Sequence, residues 1–148
     1  RVSVLDRIWE GVPATLSLSI ASSASLGAFQ PGVAMDYETS VAATVTSSAE
    51  DASLSVADAS PTATGRLVNS EFALTQPIQA RAINAANPST AFAPVGGSAN
   101  PTLLLTYTGP VSADQVTIGL RQSILADEAL RTGSYTKTLT FTLSTTTP

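Results

Sequence analysis

Apolar side chains fall at every second position over long runs of this chain, and that spacing constrains its fold more than any other feature. Between Thr138 and Leu143 the alternation is strict: Leu139, Phe141 and Leu143 are interleaved with Thr138, Thr140 and Thr142. A period of two puts each set on its own face of an extended segment, whereas a helix would wrap both sets around its axis. β-Branched and aromatic residues pack well on a pleated surface. The stretch from Thr132 to Leu143, entered through a turn at Gly133 and Ser134, therefore predicts a long, half-buried strand.

The same period recurs along the chain. Leu16, Leu18 and Ile20 alternate with serines in a strand over Ala14 to Ile20. Tyr37, Val41, Ala43 and Val45 share one parity between Asp36 and Thr46, and Leu54 and Val56 share one between Ala52 and Ala57. The polar turn between these two runs predicts a hairpin. Further strands are expected over Ile78 to Ile83, over Thr102 to Thr108 with Leu103, Leu105 and Tyr107 on one face, and over Val116 to Ile124. Asp127 to Leu130 fits one turn of helix. Asn84 to Pro101 is the longest irregular stretch, anchored by Phe92 and Val95. About seven to nine short strands without an amphipathic helix predict an all-β fold, an immunoglobulin-like Greek-key β-sandwich over residues 13–148. Its expected core is Leu16, Leu18, Val41, Val45, Leu54, Val56, Leu105, Val116, Ile118, Leu120, Leu139, Phe141 and Leu143.

Residues 1–12 stand apart from this pattern. Val2, Val4 and Ile8 lie on one parity and Leu5 and Trp9 on the other, so both sides of an extended segment would be apolar. Gly11 and Pro13 set the segment off from the strand that begins at Ala14. It reads as an N-terminal arm able to act as a donor strand to another copy, with Val2, Val4, Leu5, Ile8 and Trp9 as the inter-subunit contacts. An ordinary first strand, or a linker from a preceding domain, fits the same residues. The start at Arg1, without methionine, points to a removed leader or upstream domain.

Composition removes several function classes. There is no cysteine and no histidine, so disulfides, thiolate metal sites, cysteine nucleophiles and histidine-based triads are excluded. Net charge is −4 with a single lysine, Lys137, and the arginines are scattered, which leaves no basic patch for nucleic acid. No apolar run reaches the roughly 18 residues that span a bilayer as a helix. The carboxylates Glu50, Asp51, Asp58, Asp114, Asp127 and Glu128 all sit in predicted turns, where acidic residues serve the turn itself. A glycosidase pair or a calcium loop would need them brought together, and their spacing gives no sign of it. The expectation is therefore no catalysis, no cofactor and no metal. Of the aromatics Trp9, Tyr37, Tyr107 and Tyr135, parity turns Tyr107 and Tyr135 toward the core or a strand end, leaving Trp9 as the candidate for an intermolecular contact.

The closing segment LRTGSYTKTLTFTLSTTTP, Leu130 to Pro148, resembles the last strand of bacterial surface β-sandwiches. In chaperone–usher pilins and spore-coat-U-type domains that strand follows a Gly-Ser/Thr-Tyr turn, here Gly133-Ser134-Tyr135. Thr140-Phe141-Thr142-Leu143 is similar to the end of Trp-x-Leu cell-wall domains, with Phe141 in place of tryptophan. Leu26 to Val56 is similar to the early part of the pilin pattern. The cysteine pair typical of pilins and spore-coat domains is missing. The resemblance implies an immunoglobulin-like sandwich on a bacterial surface. The first reading is thus a secreted, non-enzymatic structural protein that assembles with copies of itself into a filament or pilus. The second is an accessory module of a larger secreted protein that binds cell wall or polysaccharide.

Overall fold

The computed structural model describes residues 15–20, 24–27, 29–69, 71–130, 133 and 135–145. Every regular element among them is a β-strand. In chain order these are β1 (Leu16–Ile20), β2 (Met35–Ser47), β3 (Ala52–Asp58), β4 (Val68–Asn69), β5 (Phe72–Ala73), β6 (Gln79–Ile83), β7 (Ala93–Pro94), β8 (Gly96–Gly97), β9 (Thr102–Tyr107), β10 (Val111–Ile124) and β11 (Thr140–Ser144). The fold is all-β, built of several mainly antiparallel sheets. The larger one runs β1-β2-β10-β6-β7, and every neighbouring pair in it is antiparallel. The second is centred on β3. Its one edge carries β11, from Thr140↔Ala57 to Ser144↔Ser53, and its other edge carries β9 antiparallel and β8 parallel, end to end. β4 and β5 form a small separate hairpin.

One hydrophobic cluster draws on both large sheets. Leu16, Val45, Ile118 and Val116 come from the first and Leu54, Val56, Leu105 and Leu143 from the second, all buried. Of the residues expected in the core, only Leu18, Val41, Leu120, Leu139 and Phe141 are partly exposed, and these still pack against the cluster. Burying such residues is the main favourable term in folding, on the order of 1.5–3 kcal/mol for each large apolar side chain.

Four local expectations are corrected. β2 and β3 are not a hairpin: the turn after Ser47 carries the chain from one sheet to the other, so β2 pairs with β1 and β10 while β3 pairs with β8, β9 and β11. In β9 the parity breaks at a bulge. Leu54 faces Leu105 but Ser55 faces Leu103, so Leu104 is an extra residue. Leu104 and Leu105 are both buried, and Leu103 turns outward, 61% exposed. Asp127 to Leu130 is not helical; the Glu128 N–H closes a turn on the Leu125 carbonyl, and no helix occurs among the described residues. Finally, the last strand is shorter than the alternation suggests. Thr136 leaves the ladder to exchange both backbone hydrogen bonds with Val68, and Lys137 turns inward to Asp58.

Candidate functional site

The chain's single lysine and one of its acids form a buried ion pair. Asp58 ends β3 and is only 2% exposed. Its Oδ1 accepts the Ser60 N–H at 2.9 Å and its Oδ2 the Gly65 N–H at 2.7 Å. Lys137 Nζ lies 3.2 Å from the same Oδ2 and also donates to the Thr62 carbonyl. Burial pushes the Asp58 carboxyl up, but the two backbone N–H groups and the Lys137 ammonium outweigh it and hold the group below the usual carboxylate value. Gly65, with φ of +77°, brings its Cα so close to Val95 that a Cβ would stand 2.4 Å from the Val95 carbonyl oxygen. Asp58 therefore organises the 59–66 loop and Lys137 ties it to the segment before β11. Both carboxylate oxygens and two of the three ammonium donors are thus engaged within the protein.

A second polar cluster sits where β9 passes into β10. A bulge at the start of β10, where Ala113 has φ of 51°, re-aims Asp114. Its Oδ2 accepts the Tyr107 hydroxyl at 2.8 Å and the Asn84 side-chain amide at 2.9 Å. The Asn84 Oδ1 in turn accepts the N–H of Asn87. Burial, then the Asp114 carboxylate, raises the Tyr107 hydroxyl far above its ordinary value. The phenol thus stays protonated and fixes the loop.

The other predicted acids are dispersed. Glu50 is exposed, and Asp51 accepts the Thr145 hydroxyl at 2.7 Å. Glu128 holds the backbone and hydroxyl of Thr75. Glu128 and Asp127 also rim an open groove of about 580 Å³, together with Glu71, over Phe72 and Leu125. No group of three or more carboxylates is close enough to hold a metal ion among the described residues. Tyr37 and Tyr107 are buried, the first with its ring 4.9 Å from Phe29. Val2, Val4, Leu5, Ile8 and Trp9 lie outside the described residues.

The sheet margins differ from one another. On one flank β7 pairs with β6 and β8 pairs with β3, so residues 93–97 cross from one sheet to the other, and Val95 between them is buried. Thr102 Oγ1 clamps the crossing by donating to the Pro94 carbonyl and accepting the Gly96 N–H. On the other flank β1 and β11 approach each other, each paired along only one edge among the described residues. Neither strand contains a charged residue. Leu18, Ile20, Leu139 and Phe141 lie on or beside this flank and are incompletely covered. Comparison with family models, with curated proteins and with solved structures finds no match to this chain.

Proposed function

We propose that the chain is a non-enzymatic structural protein of the bacterial cell surface. In this reading it is a secreted, immunoglobulin-like Greek-key β-sandwich that assembles with copies of itself through its N-terminal arm, residues 1–12. The observation that carries the reading is the β1/β11 flank, where each strand is paired along one edge only among the described residues. An edge strand presents unpaired N–H and C=O groups and invites another strand, and natural proteins commonly guard such edges with charge, proline or a bulge. β1 and β11 have none of the first two and, among the described residues, each runs in unbroken register with one partner. Their margin is also apolar, through Leu18, Ile20 and Phe141. A segment with apolar residues on both parities, such as Val2, Val4, Leu5, Ile8 and Trp9, has the chemistry to lie along it, with main-chain pairing for affinity and side chains for specificity. The insertion of β10 between β2 and β6 supports a Greek-key connection.

Deletion of residues 1–10 tests the reading. The full-length protein should sediment as an oligomer, and filaments should be visible by electron microscopy. The truncated protein should melt as a folded monomer. If both forms are monomers of equal stability, self-assembly is wrong and the wall- or polysaccharide-binding module takes its place.

A further inference from the structure

The outer face of the larger sheet gathers two of the chain's positive charges on one ring. Arg81 of β6 lies opposite Gly119 of β10, and Arg121 lies one pleat further along β10, opposite Gln79. Phe92, from the loop before β7, folds over this spot, and the guanidinium carbons of Arg81 and Arg121 are each 4.4 Å from its ring centroid. The two charges are thus within twice that distance of each other. Gly119 makes the approach possible, since a Cβ there would come within 3.3 Å of the Arg81 side chain and 3.5 Å of the Phe92 ring.

Neither arginine has a carboxylate partner; the one salt bridge among the described residues is that of Lys137 with Asp58. Arg121 directs Nε and one Nη to the neutral Gln79 Oε1. Arg81 makes one long bond, 3.5 Å, to the Thr90 carbonyl, and its Nε is buried without a partner. Glu38 stands opposite Arg121 on β2 but is exposed and makes no ion pair with it. An aromatic face attracts each cation only modestly, and the cations repel each other. Eleven acids against seven bases leave no shortage of carboxylates to neutralise the pair, yet none does. The result is a pair of planar forks with donors to spare, immobilised in advance by a ring and an amide. That is the geometry in which arginine binds the oxygens of an anion, often through two parallel bonds.

We propose that Arg81 and Arg121, held by Phe92 and Gln79, form a binding site for an oxyanion, either a free phosphate or a carboxylate carried on an acidic polysaccharide. The site is independent of the β1/β11 flank, so it stands or falls apart from self-assembly.

The test titrates inorganic phosphate and, separately, oligogalacturonate into the full chain, with the arginine side-chain Nε–Hε signals followed by NMR. The signals of Arg81 and Arg121 should shift and saturate with at least one probe, with a Kd in the millimolar range or tighter. Saturation by oligogalacturonate alone assigns a polymer-borne carboxylate, and saturation by phosphate at matched charge assigns a free anion. Arg81→Gln and Arg121→Gln should each weaken binding by roughly tenfold or more, and Glu38→Gln should strengthen it. Absence of saturable shifts with both probes in the unmodified protein overturns the site, as does undiminished binding in the two glutamine variants.

Discussion

The two flanks of this molecule solve the same problem in opposite ways. Where β6, β7, β8 and β9 meet, the chain itself passes from sheet to sheet, a proline blunts the last strand, and Val95 fills the seam. Where β1 and β11 meet, two short strands without charge or proline stop side by side. The first arrangement satisfies backbone groups and covers apolar surface with local covalent structure. In the second, among the described residues, each strand is paired along one edge only and its apolar margin is incompletely covered. On the proposed reading, one closed flank and one with unpaired strand edges would give assembly a direction.

The largest effect should come from the buried ion pair that ties the loop beside the closed seam to the segment leading into β11. Lys137→Met leaves the Asp58 carboxylate buried without its cation, and removing one member of a buried pair costs about 3–5 kcal/mol. Urea melts measure it. The same pair gives a pH dependence of defined sign. The folded carboxyl of Asp58 is held below its unfolded value, so its contribution is complete above about pH 4 and is lost as pH falls through the folded value. Asp58→Asn should flatten that acid limb of the stability profile. An unchanged acid limb in the variant would show that other carboxylates govern it.

A middling effect should come from crowding the seam. Gly65→Ala combines a left-handed backbone with the collision against Val95, and should cost at least about 1–3 kcal/mol. Gly32→Ala is the control: its φ is +79° but nothing lies within 4 Å of its Cβ position. It should cost only the backbone part, and the difference between the two melts measures how tightly the flank is closed. Equal costs would mean that the seam yields.

The smallest effect on stability should fall on the open side. Ser19→Lys places a charge on exposed β1, and Ser98→Lys places one on the exposed turn of the closed flank. Each should change stability by less than about 0.5 kcal/mol. In sedimentation, only Ser19→Lys should reduce self-association. Loss of association in both variants, or in neither, removes the distinction between the flanks.

How much of this was legible in the sequence depends on the range of the forces involved. Alternation located β1, β2, β3, β6 and β9 closely, because burial of one face is a property each strand carries alone, but it found β10 only from Val116 on and missed its first five residues, beyond the bulge. It failed at Leu103, where a single bulge inverts the pattern, and at Thr136 to Leu139, where partners distant in sequence displace the ladder. The β2–β3 turn looked like a hairpin because a polar turn, Ser47 to Asp51, signals reversal but not which sheet the chain enters. Asp58 and Lys137 were visible only as a turn acid and a lone base. Their pairing, like that of Arg81 with Arg121 and Phe92, exists only once register is set. Arginines forty residues apart offer no local pattern, and the one hint was the glycine in an otherwise bulky strand, Gly119, which marks a close approach.

The pairing of β11 with β3 also sets a timetable. Leu143 covers Leu54, and Thr140 meets Ala57, so contacts that complete the core join residues about 90 positions apart in sequence. β2 likewise waits for β10. With so little of the structure stabilised by neighbours in sequence, the loop-closure entropy has to be met before the compensating contacts form, which places folding at the slow end, on the order of milliseconds to seconds. A chain emerging from its amino end cannot close its core until Thr140 to Ser144 has emerged as well. Until that moment it is an unfinished polymer, and its half-made sheets are the state most exposed to wrong partners.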